Sequence, residues 1–167
     1  MSRIAMVVAL LLIAGSAFAQ SHHPYAGLHS RPVKALSEQQ IADLRAGRGM
    51  GLALAAEMNG YPGPLHVLEL AEQLQLSPEQ RQHTQQLFDA MKAEAVAVGE
   101  RLIEQERALD RAFADRRIAP ETLARFTAQI GETQGELRAI HLKYHLTTAD
   151  LLTMHQRHRY AELRGYR

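Results

Sequence analysis

The chain has 167 residues, 19 basic against 18 acidic side chains, no cysteine and no tryptophan. A charge balance near zero gives no electrostatic footprint for nucleic acid. Without cysteine there are no disulfide staples, so stability must come from helix packing or oligomerisation around one modest core.

Arg3, the apolar run Ile4 to Ala14 and the small-residue pattern Ala17-Phe18-Ala19 read as a secretory signal, with cleavage expected after Ala19. The apolar run is about half of the roughly 20 residues a spanning helix needs, so a retained anchor is disfavoured. Removing Arg3 with the leader takes 19 basic residues to 18, matching the 18 acidic ones. Residues 20–35 mix prolines, a glycine and polar residues without periodicity, which predicts a flexible arm. Residues 36–167 are expected to form a single helical domain.

That domain opens on Leu36-Ser37-Glu38-Gln39-Gln40, where Ser37 can cap a helix and Gln40 can reach back to it, with Leu36 and Ile41 as a hydrophobic staple. Gly47, Gly49 and Gly51 loosen the chain around Met50. A short helix is expected to resume through Met58 and stop at Asn59-Gly60. After the turn Tyr61-Pro62-Gly63-Pro64, a helix is predicted from Leu65 to Leu74, with Pro64 in its first position.

Leu76-Ser77-Pro78-Glu79-Gln80 repeats the start signal and precedes a long amphipathic helix to about Arg116, with the stripe Leu87, Met91, Val98, Leu102, Leu109 and Phe113. Arg117 to Ala119 form a short link. Pro120 starts a second long helix, whose stripe is Leu123, Phe126, Ile130, Leu137 and Tyr144. A link so short predicts an antiparallel hairpin. A third start signal, Leu152-Thr153-Met154-His155-Gln156, lacks proline, so the helix either breaks there or runs on. The fold class read from these elements is all-α: a long antiparallel helical hairpin preceded by shorter N-terminal helices, which the family resemblance given below implies are packed on it.

Nine histidines make the composition unusual. His141 and His145 lie one helical turn apart on one face, within and at the margin of the Leu137–Tyr144 stripe. That spacing can present two imidazoles to one ion, and fits a pair of hydrogen-bonded interfacial histidines as well. Two ligands make half a site, and His66 with Glu69, at i and i+3, are the best candidates to complete it from another helix. Imidazole suits zinc, copper, nickel or cobalt. Met50, Glu57 and Met58 could add soft ligands for copper(I), against the alternative that the methionines are adaptable packing. Gly47-x-Gly49-x-Gly51 has neither the preceding strand nor the following lysine of a phosphate cradle. No Ser/His/Asp or paired-carboxylate arrangement suggests catalysis, so no enzyme activity and no organic cofactor are expected. The run "ERLIEQERALDRAFADRR" reads as a solvated helix face laced with ion pairs.

The stretches "LSPEQ" (76–80) and "LTMHQ" (152–156) resemble the paired LTxxQ motifs of the Spy/CpxP family of periplasmic proteins, and the hairpin between them is similar too. The segment "GRGMGLALAAEMNGYPGPLHVLEL" resembles the heavy-metal sensor subset of that family, related to CnrX. The resemblance implies a periplasmic location and a hairpin wrapped by shorter N-terminal helices, usually as a homodimer. It implies one of two functions. One is binding of divalent transition metals, as sensor or buffer, with an inner-membrane sensor kinase or anti-sigma factor as partner. The other is ATP-independent holding of unfolded envelope proteins. The sensors carry an LHxxLH cluster on a short helix and an HxxxM pair on the last long one. Here "PLHVLEL" keeps His66 but has Leu70 at the second histidine, and His145 stands where the methionine would be.

Overall fold

The computed structural model describes residues 25–166. The leader with its cleavage site after Ala19, the first residues of the arm and Arg167 lie outside the described residues. Among the described residues all regular structure is helical: α1 (Glu38–Arg45), α2 (Leu54–Glu57), α3 (Pro64–Glu69), α4 (Pro78–Ala114), α5 (Pro120–Leu151) and α6 (Met154–Leu163), preceded by a 3-10 turn at Leu28–Ser30.

Helices α4 and α5 pack against each other along their length. Partner numbers fall along α5 as they rise along α4: Gln80 bonds Leu151, Glu94 bonds Lys143 and Tyr144, and Arg101 bonds Glu136. That order is an antiparallel hairpin. One core, formed by Val33, Ile41, Leu44, Met91, Val98, Leu102, Ile103, Ile130, Leu137, Ile140 and Tyr144, joins α1 to the hairpin. A second, with Val67, Leu74, Leu152 and Tyr160, joins α3 and α6 at the open end. Gly99 lets α1 come close, because a Cβ there would stand 2.8 Å from the Leu44 carbonyl oxygen.

All three start signals form capping boxes, at Ser37/Gln40, Ser77/Gln80 and Thr153/Gln156. The last two also clasp each other. The Gln80 amide donates to Gln156 Oε1 (3.0 Å) and to the Leu151 carbonyl (2.9 Å). The Gln156 amide donates to Gln80 Oε1 (3.0 Å) and to the Leu74 carbonyl (3.3 Å). Each oxygen also takes its own cap's backbone N–H, from Ser77 (3.1 Å) and Thr153 (2.9 Å). Every amide hydrogen and lone pair is thereby used.

Several expectations shift. The helix predicted over 65–74 ends at Glu69, and hydrogen-bonded turns carry the chain to Gln75, which sits at φ 52. The chain breaks between α5 and α6: Leu152 is extended (φ −99, ψ 142), and Thr153 caps the new helix. The break turns Leu152 into the second core. Phe113 and Leu123, assigned to the buried stripes, are exposed at the hairpin tip. They lie past the Lys34–Asp110 ion pair, where every residue from 111 to 129 is exposed or half-buried. Residues 25–35 contain the 3-10 turn and bury Val33 completely, although the stretch reads as part of a flexible arm.

Candidate metal-binding cleft

The two cores leave a cleft of about 290 Å³ where the segment 49–66 crosses α4 and α5. His141 and His145 on α5, His66 and Leu65 on α3, Glu57 and Leu54 on α2, Met50 in the glycine loop, Met91 on α4, and Arg164 and Tyr166 beyond α6 all line it. Three of the four residues singled out for metal binding thus face one space. Glu69 does not line it; its carboxylate lies 3.0 Å from His66 Nδ1, at the exposed end of α3.

His145 is held on both sides. Its Nδ1 lies 2.7 Å from the Tyr61 carbonyl oxygen, which can only accept, so Nδ1 carries the proton. Glu57 Oε2 stands 3.5 Å from the same nitrogen. The other edge presses on Gly63, where a Cβ would fall 2.7 Å from Nε2 and 2.8 Å from Cε1. Gly63 has an ordinary extended backbone (φ −82, ψ 151), so the glycine is there for this close approach.

Glu57 anchors the floor. Its buried carboxylate accepts hydrogen bonds from Gly63 N–H (3.2 Å), from Tyr166 Oη (3.1 Å) and from Tyr160 Oη. These donors stand in for water around a carboxylate taken out of solvent. Burial, then the bond to Glu57, pushes the Tyr160 hydroxyl far above the ordinary tyrosine range, so it stays a donor. Arg164 Nε bonds Tyr166 Oη at 3.2 Å and continues the chain to the surface.

His141 differs from its neighbour. It is 2 % exposed, and its Nε2 has no hydrogen-bond partner among the described residues. Its other edge lies against Gly49, where a Cβ would be 3.6 Å from Nδ1. Burial, and secondarily the nearby His145, hold this imidazole below the ordinary histidine range, which keeps it neutral at pH 7. A neutral imidazole nitrogen without a partner is the form that binds a metal. Leaving a buried polar atom unpaired costs about 1–3 kcal/mol.

Met50 sits at φ 43 between two glycines, a left-handed backbone that costs an L-residue about 1–2 kcal/mol. Among the described residues, no three or more His, Cys, Asp or Glu side chains are grouped so that they could hold a metal ion. The donor set is therefore incomplete in nitrogen and oxygen: one open imidazole, a second engaged with Tyr61 and Gly63, and a third beside Glu69. Sequence reasoning treated Met91 as core packing and did not reach Tyr160, Arg164 or Tyr166. No local pattern marks them, since Tyr160 and Tyr166 meet Glu57 across 103 and 109 residues. The chain matches no protein-family model, no curated protein and no solved structure.

Proposed function

We propose that this chain is an exported helical metal-binding protein of the Spy/CpxP type, acting as a sensor or buffer of divalent transition metals in the periplasm. The observation that carries the reading is His141: a buried, neutral imidazole whose Nε2 has no partner among the described residues, in a cleft that His66 and His145 also line. His145, fixed through Nδ1 by a backbone carbonyl, has the tautomer that leaves Nε2 as the ligand atom. Binding through that atom needs the 61–63 turn to draw back from it, and such a movement is how occupancy would be signalled to an inner-membrane sensor kinase or anti-sigma factor. The clasp between the "LSPEQ" and "LTMHQ" caps supports the family resemblance, because both motifs act at one joint.

The test is calorimetric titration of protein purified from the periplasm with zinc, copper(II), nickel and cobalt. The reading expects one site per chain tighter than about 100 µM, roughly −5.5 kcal/mol, weakened at least tenfold by His141→Leu. Absence of such binding, or binding indifferent to His141, overturns it.

A second reading, an ATP-independent chaperone for unfolded envelope proteins, is favoured by the cleft's rim. Met50, Leu54 and Leu65 are 42, 57 and 41 % exposed there. Patches of this kind mark binding surfaces. Aggregation of a denatured client that is unchanged by stoichiometric protein would remove this reading. A homodimer, as in the family, is part of both proposals, and neither includes a catalytic step.

A further inference from the structure

We propose that the preferred ion of this cleft is monovalent copper, held by the thioethers of Met50 and Met91 together with His141 Nε2. The inference rests on the reading of the cleft as a metal site; it puts a monovalent ion in place of the divalent ones as the preferred occupant and adds two sulfur ligands.

The donors present decide the class. Borderline divalent ions are held in protein sites by several imidazole, carboxylate or thiolate ligands. This chain has no cysteine, and no three His, Asp or Glu side chains group as a metal site among the described residues. His145 is occupied by Tyr61 and closed off by Gly63, and His66 lies beside Glu69. Among the donors that line the cleft are His141 Nε2, which has no hydrogen-bond partner among the described residues, the thioethers of Met50 and Met91, and the second ring nitrogen of His66, whose Nδ1 is held by Glu69. Thioethers are soft ligands that select copper(I) over zinc, nickel or cobalt, and copper(I) accepts low coordination numbers.

The two methionines line the cleft from unrelated elements. Met91 comes from the middle of α4 and is 7 % exposed; Met50 comes from the glycine loop and is 42 % exposed. His141 supplies the independent sign of a ligand: it is almost wholly buried, lines the same space and leaves its Nε2 unpartnered. One ligand set thus spans a rigid helix pair and a loop, and copper(I) would tie residues 49–51 down onto the hairpin.

The experiment is an anaerobic competition for copper(I) against bicinchoninate, run beside zinc, nickel and cobalt titrations on the same full-length exported protein. The wild type is expected to take one copper(I) per chain. Met50→Leu with Met91→Leu is expected to weaken copper(I) at least tenfold and to change the divalent affinities less than twofold. Met50→Leu alone, at a partly exposed position, gives the same direction if the double variant folds poorly. X-ray absorption at the copper edge should show sulfur scatterers in the wild type and fewer in the variants. Copper(I) affinity unchanged in both variants, no copper(I) uptake, or a shell of nitrogen and oxygen alone overturns the inference. Divalent binding that needs His141, found without copper(I) binding, overturns this inference and leaves the metal-site reading standing. If no ion binds, both fall.

Discussion

Gly63→Ala isolates the contact that fixes His145. The backbone at Gly63 is one that alanine adopts freely, so conformational strain contributes nothing. Stiffening the unfolded chain would by itself stabilise the protein by about 0.4–1 kcal/mol. Against this, the new methyl would stand 2.7 Å from His145 Nε2 and 2.8 Å from Cε1, well inside contact distance. The imidazole must swing away, breaking its 2.7 Å bond to the Tyr61 carbonyl and loosening its approach to Glu57. Overpacking costs about 1–3 kcal/mol, and a buried acceptor left unpaired costs a similar amount. The expected net loss is about 1–5 kcal/mol, read as a lower urea midpoint at unchanged slope. A double-mutant cycle sharpens it. In a His145→Ala background the methyl has room, so Gly63→Ala should become neutral or stabilising, with a coupling energy above about 1 kcal/mol. A wild-type-like or raised midpoint for Gly63→Ala alone would refute the reasoning.

Three further outcomes follow from the same geometry. Gln80→Ala and Gln156→Ala each remove half of the clasp and should each cost about 1–3 kcal/mol, but the double variant should cost clearly less than their sum; additivity in chemical denaturation would contradict the paired amides. Gly99→Ala improves helix propensity by about 1 kcal/mol, yet its Cβ would meet the Leu44 carbonyl oxygen at 2.8 Å, so a net loss with faster amide exchange in α1 is expected; a stabilised variant would mean that α1 does not sit where described. In metal-free protein His141→Leu should be neutral or stabilising, because it removes an unpaired buried nitrogen. The sign with pH is set by the same residue. The folded His141 pKa is depressed below the unfolded value of 6.5, so its stability contribution is level above that pH. As pH falls through 6.5 the unfolded chain takes a proton that the folded one refuses, and stability drops. The leucine variant should lose that part of the slope between pH 7 and 5; an unchanged slope would place the effect elsewhere.

How much of this was legible depended on whether the signal was local. The caps at Ser37, Ser77 and Thr153 are written within four residues each, and all three form. The hairpin follows from two long periodic stripes and a short link. The early end of α3 at Glu69 was not legible, because Leu65 to Leu74 is helical in composition and only the packing of Leu74 into the second core turns it. The same holds at the hairpin tip, where Phe113 and Leu123 keep the stripe's spacing but stay exposed among the described residues. In the cleft, spacing placed His141 and His145 on one face. It could not show that a carbonyl 84 residues away fixes one of them and that the other is left without a partner. Nor could it show that the two glutamines, read only as caps, would meet across 76 residues.

The most direct test of the account is to watch the imidazole nitrogens themselves. Long-range nitrogen–proton NMR on metal-free protein should show His145 protonated at Nδ1 and His141 neutral. On titration with metal, the His141 Nε2 resonance should shift first and saturate at one equivalent. Stepwise shifts confined to histidines outside the cleft, with His141 unmoved at saturation, would contradict a metal site in the cleft.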